Sequence, residues 1–360
     1  MEASEKSWQS PKPVELGCFW DLLNGVEKAK NELIQMEQGH SNGLVDEASL
    51  LEENEKLILA IKWEELFLKQ KATKTRFNEG DRNSKYIHAC IKHQRKCNTI
   101  HFIKDDYGNC IKDEKGIADS AVLYCQNLMQ CQQAEREHVE SSLFNSDNEH
   151  TTNLNLAEIP EEEITQALHT IDSAKVSCLD GFTADFYKKA WEVIKEDVIK
   201  AIQYFFKGNT LPQYFSHVVI TFLPKTSKKD KWNQYRTISL TNVISKTISK
   251  ILVRRIQLVL QFIVSQKQAA FVKGRSISDN VFLAQELLLD LEKPCRGNMI
   301  YKLELKKAYD MVNWEFIMEI LRARGFTLNS CRIIKRWLEG NANSILIKGK
   351  SHGFSRQQED

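Results

Sequence analysis

The sequence predicts an α+β protein with a helical N-terminal region followed by a region that mixes helices with strands. Apolar residues recur at helical spacing through most of the first hundred residues. The longest β-branched run, Val218–Leu223, comes much later, and a polar acidic stretch separates the two textures. We therefore divide the chain into a helical region at 1–131, a flexible acidic linker at 132–157 and a mixed region at 158–360.

The first region is predicted to be a long antiparallel helical pair with further helices after it. Its helices are expected at about 20–37, 50–77, 81–96 and 114–129. The interruption at Gly39–Gly43 separates the two helices of the pair. An apolar run, an Asp105–Gly108 turn and Cys110 predict a β-hairpin near 99–112.

The mixed region alternates amphipathic and β-branched segments. Helices are expected at about 160–171, 183–207, 245–262, 279–291 and 314–325. Strands are expected at 218–223, 238–240, 299–305 and 344–348.

Charge is segregated along a chain whose net charge is only +2. Residues 67–99 hold nine Lys/Arg and two acids, residues 222–258 hold nine and one, and residues 131–164 hold one and nine. Such blocks predict basic surfaces for a polyanion. The alternative is that each basic block is an ordinary solvated helix face.

Cysteine and hydropathy patterns predict an intracellular protein, nuclear or cytoplasmic, with reduced thiols. The nine cysteines show no pairing rhythm, and we find neither a signal peptide nor a membrane-length apolar run. His88, Cys90, His93 and Cys97 suggest zinc, but they lie within ten residues of one predicted helix. Because ligands so placed cannot easily surround one ion, we interpret them as structural.

Five blocks follow one another in a specific order. They are Asn78–His88, Asp180–Tyr187, Leu223–Leu240, Gln268–Asn280 and Leu303–Trp314. Together they resemble the reverse transcriptases of non-LTR (LINE-type) retrotransposons, especially those of plants. The resemblance implies a right-hand fold in which 158–360 form the fingers and an incomplete palm, truncated before the Tyr-x-Asp-Asp motif.

Lys225 and Arg236 flank a basic turn, so a hairpin places both cations near one another. Lys and Arg suit triphosphate oxygens, although a solvated basic hairpin explains the spacing equally well. The resemblance implies that Lys225 and Arg236 grip the incoming nucleotide and that Tyr309 is the aromatic wall excluding a ribose 2′-hydroxyl. Asp310 is interpreted as a turn or cap residue, and the rival interpretation makes it a metal ligand.

Glu304 stands where the family carries a metal-binding aspartate, and the family uses Mg²⁺. Magnesium demands near-ideal geometry at short ligand distances, so the additional methylene of glutamate displaces the carboxylate. The 360 residues also contain no Tyr-x-Asp-Asp sequence. We therefore expect Glu304 to be a poor metal ligand and polymerisation to be lost. The last ~60 residues are expected to pack poorly, because the palm sheet would lack the strands that carry the paired aspartates.

The resemblance implies RNA and DNA, as template and primer, as the partners. Deoxynucleotide triphosphates are expected as substrates only if the catalytic position is functional. No membrane or defined protein partner is expected. The cations proposed to contact nucleic acid are Lys69, Lys74, Arg76, Arg82, Lys85, Arg95, Lys228, Lys229, Lys273 and Arg275.

Three functions compete on this sequence. The first is a reverse transcriptase domain without catalysis. The second is a binding module that holds RNA through Lys69–Lys96 and Lys225–Arg255, with Phe77, Tyr86 and Tyr235 stacking on bases. The third is a working polymerase whose missing carboxylates come from a partner chain.

Overall fold

The computed structural model of the chain describes residues 14–72, 84–130, 138, 140, 149–173, 175–177, 180–226, 229–291, 299, 301–304 and 312–354. These residues fall into two compact units. The first unit draws on Met1–Asp113, Thr221–Ile238 and Leu346–Ser351, and the second on Glu114–Ile220, Ser239–Ile345 and His352–Asp360.

Three helices open the first unit: α1 (Val14–Ser41), α2 (Glu47–Ala72) and α3 (Ser84–Asn98). The predicted break between α1 and α2 is confirmed at Gly43, whose φ of 71° suits glycine. There the Leu44 amide donates to the Gly39 carbonyl at 2.9 Å, which closes the end of α1. Leu68, Ile87 and Ile91 form a small buried cluster between α2 and α3.

The predicted hairpin is confirmed, with strands β1 (Ile103–Lys104) and β2 (Cys110–Ile111). Ile103 pairs with Ile111 and Lys104 with Cys110 in antiparallel register. Asp105 closes the turn, because its carboxylate accepts from the Asn109 amide at 2.7 Å. Its pKa is lowered, chiefly by hydrogen bonding from the Asn109 side chain.

The second unit is mainly helical. Its helices are α4 (Glu114–Gln130), α5 (Glu149–Thr152), α6 (Glu161–His169), α7 (Ala184–Lys189), α8 (Trp191–Phe206), α9 (Gln213–Ser216), α10 (Val243–Ile263), α11 (Ile277–Leu291), α12 (Trp314–Ala323) and α13 (Leu328–Glu339). The core is built from apolar residues that include Ile164, Ile202, Phe206, Ile248 and Ile251.

Capping side chains fix where several of these helices begin. Asn242 accepts from the Ser245 amide at 2.8 Å at the start of α10. The Asn242 side-chain amide also donates to the carbonyls of Tyr214 and Phe215, at 3.2 and 3.0 Å. The start of α10 is thereby tied to the segment that leads into the sheet.

Four strands form one mixed sheet in the order β4-β3-β5-β6. They are β3 (His217–Pro224), β4 (Tyr235–Thr241), β5 (Ala342–Ile347) and β6 (Lys350–Phe354). β3 and β5 are parallel, with Val219 opposite Ser344 and Ile220 opposite Ile345. The 218–223 and 344–348 predictions are confirmed, whereas α13 and β6 were not predicted.

Two predicted elements differ from the structure at their boundaries. The helix predicted at 183–207 is two helices, because the chain turns at Ala190, whose φ and ψ are −83° and 1°. This turn lets Trp191 pack edge-on against His169, with ring centroids 5.9 Å apart. The linker prediction is wrong for its last part, since Thr151 and Leu156 are buried. Thr151 Oγ1 donates to the Arg324 carbonyl at 2.7 Å.

The strand predicted at 299–305 is not formed by its described residues, since 301–304 lie outside any helix or strand. The expectation of poor packing at the end of the chain is wrong for much of 312–354, where Met318, Phe326, Ile333 and Ile345 are buried. Large exposed apolar side chains lie instead along α11, including Leu283, Leu287 and Leu289. No helix within the described ranges is both long and apolar enough to cross a membrane.

Candidate nucleotide-binding hairpin and catalytic position

The basic hairpin of β3, β4 and the turn between them is held together by aromatic packing on its inner side. The ring of Phe222 lies 4.6 Å from that of Trp232, and Trp232 lies 5.6 Å from Tyr235. All three side chains are buried. A short 3-10 helix, Trp232–Gln234, leads into β4. The turn is therefore anchored by its own hydrophobic cluster.

Tyr235 is part of this core, which contradicts the hypothesis that it stacks on a base. Its hydroxyl donates to the Lys229 carbonyl at 3.0 Å. Burial, followed by the charge of Asp230, raises the pKa of Tyr235 to about 12. A phenol so held stays neutral and fixes the path of the turn. Tyr86, by contrast, is half exposed on α3.

Lys225 and Arg236, the two predicted nucleotide-binding residues, are both exposed on this hairpin. The Lys225 amide donates to the Gln234 carbonyl at 2.8 Å, and its ammonium donates to the Asn233 carbonyl at 3.0 Å. The backbone bond fixes the base of the Lys225 side chain. The hairpin thus presents both cations to solvent from one rigid scaffold, as an anion site requires.

The β1–β2 hairpin braces the basic turn, which no sequence motif had indicated. The Lys104 amide donates to the Asp230 carbonyl at 2.7 Å, and its ammonium lies 3.1 Å from the Asp230 carboxylate. Hydrogen bonding to Asp230 raises the pKa of Lys104. The Lys229 ammonium also donates to the Cys97 carbonyl at the end of α3. Residues far apart in the chain therefore support the same turn.

Glu304 lies in an exposed part of the second unit, outside any strand or helix. Its neighbour Leu303 is 89% exposed. Tyr309 and Asp310, the other residues of this block, lie outside the described residues. Glu304 therefore lies outside any regular element that would hold a carboxylate rigidly.

Glu304 is the one candidate magnesium ligand from the sequence that lies among the described residues. Among them, no group of three or more His, Cys, Asp or Glu side chains is placed to hold a metal ion. Glu304 itself is exposed, and its backbone is irregular.

The remaining predicted nucleic-acid contacts divide into three groups. Arg95 and Lys273 are exposed and Lys229 is half-buried. Arg275 donates to the carbonyls of four residues near the end of α10, Gln261, Val264, Ser265 and Gln268, at 2.5–3.2 Å. The others, namely Lys74, Arg76, Arg82 and Lys228, lie outside the described residues, and so do the side chains of Lys69 and Lys85.

Arg275 is therefore a structural residue in the folded chain, because its guanidinium closes the C-terminal end of α10. The sequence had predicted instead that Arg275 contacts nucleic acid. This role could have been predicted from the position of Arg275, which follows α10 after one loop. Because α10 ends without a glycine, its last carbonyl groups need another donor.

Comparison with known proteins gives the same picture as the motifs. Residues 224–359 match the family model described as reverse transcriptase (RNA-dependent DNA polymerase). The chain is 28% identical over 250 residues to the "Transposon TX1 uncharacterized 149 kDa protein" of Xenopus laevis, which covers 68% of this chain and 19% of that protein.

A second relative is the "Retrovirus-related Pol polyprotein from type-2 retrotransposable element R2DM" of Drosophila melanogaster. Identity is 24% over 166 residues, covering 46% of this chain and 15% of the relative. The chain thus spans a small fraction of the length of either relative. The predicted resemblance is confirmed: residues 224–359 are similar to reverse transcriptases, and both relatives are proteins of transposable elements, as a resemblance to non-LTR retrotransposons predicts.

Proposed function

We propose that this chain is a reverse transcriptase domain that binds nucleic acid but does not polymerise. Glu304 is the observation that carries the proposal. It replaces the family's metal-binding aspartate, and it lies exposed outside any strand. A carboxylate with one additional methylene on an irregular backbone is poorly suited to hold Mg²⁺ within the roughly 0.5 Å that catalysis tolerates.

Nucleic-acid binding is supported by the basic hairpin. Lys225 and Arg236 are exposed on a scaffold buried around Phe222, Trp232 and Tyr235. We assign residues 158–360 to the fingers and part of the palm. The basic hairpin belongs to the fingers. In this proposal the helical region at 1–131 precedes the polymerase fold. Template and primer are the partners, and the location is intracellular, in the nucleus or the cytoplasm.

A salt titration tests whether the chain binds nucleic acid. Purified chain is mixed with a labelled RNA hairpin, and affinity is measured as ionic strength rises. Each neutralised phosphate adds about 0.7–0.9 to the slope of log affinity against log salt. We expect a steep slope that becomes shallower by about 1.4–1.8 in the Lys225→Ala/Arg236→Ala variant.

The matched control removes two cations from α8, in Lys195→Ala/Lys200→Ala. Both lysines lie beside helix glutamates, at 3.1 and 3.4 Å. An equal change of slope in the two double variants would show that only net charge matters. No measurable binding at low salt would refute the proposed function.

A further inference from the structure

Helix α11 is exposed around its whole circumference, although it is rich in large apolar side chains. All residues from 276 to 289 are exposed. The large apolar residues among them are Ile277, Val281, Phe282, Leu283, Leu287, Leu288 and Leu289. A helix with apolar residues on several sides is normally buried, and a contiguous exposed apolar surface marks an interaction site. The composition of α11 therefore calls for a partner that covers it.

The first turn of α11 is fixed to the loop that follows α10. The Asn280 side-chain amide donates to the Lys267 carbonyl at 3.2 Å. The Ser278 amide donates to Ser276 Oγ at 3.2 Å. Arg275, directly before this turn, holds the loop through the four carbonyl contacts described above. The apolar side chains of α11 are therefore presented from an anchored base, as a docking helix requires.

One side of α11 has the residue spacing of a coiled coil. Ile277, Val281, Ala284 and Leu288 follow one another at intervals of four, three and four residues, and Leu291 continues this spacing in the sequence. Residues so spaced lie along one stripe of a helix and pack against the same stripe of a facing helix. Ile277, Val281 and Leu288 are 64%, 49% and 53% exposed. We call Ile277, Val281, Ala284 and Leu288 the α11 seam.

The charges of α11 lie away from the seam. Asp279 and Glu286 are the acids among its described side chains. They lie on the opposite side of the helix, because successive residues are rotated by about 100°. The polar residues that flank the seam are Ser278, Asn280 and Gln285, which carry no charge. Charges beside a coiled-coil seam select its partner. A second copy of the seam therefore meets no like charge, whereas a charged partner would find no opposite charge there.

The seam is also complementary to itself in shape. Ala284 lies at the midpoint of α11, which spans Ile277–Leu291. In an antiparallel pair the small Ala284 side chains of two copies face one another, so the helices can approach closely at the centre. Each helix then places the positive end of its dipole beside the negative end of the other. The orientation that the sequence favours is therefore antiparallel.

The exposed area is sufficient for a weak dimer. The seam and Leu287 at its edge each expose roughly 100 Å² or less. Two copies would thus bury about 1,000 Å² together with the flanking polar atoms, which is near the lower limit for a specific interface. Interfaces of this size bind reversibly rather than permanently.

We propose that the α11 seam pairs antiparallel with the seam of a second copy of this chain and forms a symmetric dimer. The same surface serves on both copies, as two-fold symmetry requires. The inference goes beyond the proposed nucleic-acid binding and does not depend on it, since no cation of the basic hairpin belongs to the seam.

Sedimentation velocity of the full chain tests the inference at concentrations from about 1 to 100 μM, where an interface of this size should associate measurably. We expect the 41.7 kDa chain to pass from monomer to dimer over this range. In Val281→Glu/Leu288→Glu the dissociation constant should rise at least about 100-fold, because four carboxylates would enter an apolar seam.

The matched control is Phe282→Glu/Leu289→Glu. These residues are also seven positions apart on α11 and are 61% and 63% exposed, but they lie outside the seam. The control should keep the dimer. Circular dichroism shows whether each variant is folded, and Val281→Gln/Leu288→Gln replaces a seam variant that is not. The inference is overturned if the unaltered chain stays a monomer, or if the seam variant associates as strongly as the control.

Cysteine cross-linking tests the orientation. Under mild oxidation Ala284→Cys should give a covalent dimer in a denaturing gel, because the two side chains meet at the symmetry axis. Ile277→Cys should not, since its counterpart lies about 20 Å away along an antiparallel pair at 1.5 Å per residue. The unaltered chain gives the background from its own nine cysteines. Cross-linking of Ile277→Cys in place of Ala284→Cys would overturn the antiparallel dimer.

Discussion

Replacing Arg255 by alanine is expected to destabilise the second unit without changing the salt dependence of RNA binding. Arg255 lies in a basic block that the sequence associates with RNA. Its Nε lies 3.0 and 3.1 Å from the two Glu163 carboxylate oxygens, and its Nη2 lies 2.6 Å from one of them. Its Nη1 donates to the Asn155 carbonyl. The guanidinium is thus committed to three hydrogen bonds with Glu163 and one with the backbone.

The magnitude follows from how well this pair is shielded. The side chains of Arg255 and Glu163 are 15% and 23% exposed. Removing one partner of a fully buried pair costs 3–5 kcal/mol, and an exposed pair contributes less than about 1 kcal/mol. We expect a loss of about 2–3 kcal/mol for Arg255→Ala, because Glu163 then loses its partner while water reaches it only in part.

Urea unfolding followed by circular dichroism measures this loss. The stability of Arg255→Lys should lie between that of the unaltered chain and that of Arg255→Ala. An ammonium keeps the positive charge but lacks the planar, forked donors of a guanidinium. The double variant Arg255→Ala/Glu163→Ala should cost less than the sum of the single variants, by about 1–2 kcal/mol. The matched control Lys200→Ala removes a lysine that is 71% exposed and lies 3.4 Å from Glu196, so stability should change little. An Arg255→Ala chain that is fully stable but has a shallower RNA salt slope would refute this reasoning.

Three further outcomes follow from the structure. Burial raises the pKa of Tyr187 and of Tyr235 to about 12 from 10.0, so the unfolded chain ionises first and stability should fall as pH rises between about 10 and 12. Phenolate absorbance followed against pH measures the tyrosine ionisations. Tyr235→Phe should remove part of the loss of stability at high pH. Lys348 has a φ of 50° in the turn between β5 and β6, so Lys348→Asn should stabilise the chain by up to about 1 kcal/mol in a thermal melt. An unchanged or lower melting temperature would contradict that assignment. Leu283→Glu/Leu287→Glu on exposed α11 should raise solubility in light scattering without loss of helix content, whereas a loss of helix would mean that this face is packed.

Elements with a strong local signal were predictable from the sequence. The hairpin near 99–112 follows from a turn in which Asp105 caps its own loop, and β3 follows from five β-branched or aromatic residues in succession. Lys225 and Arg236 were placed on one hairpin by the turn between them, and the structure exposes both.

Features set by distant contacts were not predictable. The strand expected at 299–305 has the right residues, but a strand forms only where neighbouring backbone can pair with it, and 301–304 pair with no described strand. The contact of Lys104 with Asp230 joins residues over a hundred positions apart and leaves no local pattern. The same holds for Arg255, whose basic block predicts a phosphate contact while the fold provides Glu163.

Primer extension analysed in a native gel tests directly whether the chain binds template and primer without polymerising. The chain is incubated with a labelled DNA primer on an RNA template, Mg²⁺ and all four deoxynucleotide triphosphates. We expect a slowly migrating protein–nucleic acid complex from which the primer is recovered unextended, both for the unaltered chain and for Glu304→Ala. Extension of the primer by the unaltered chain and its loss in Glu304→Ala would contradict the proposed function, and so would the absence of any complex.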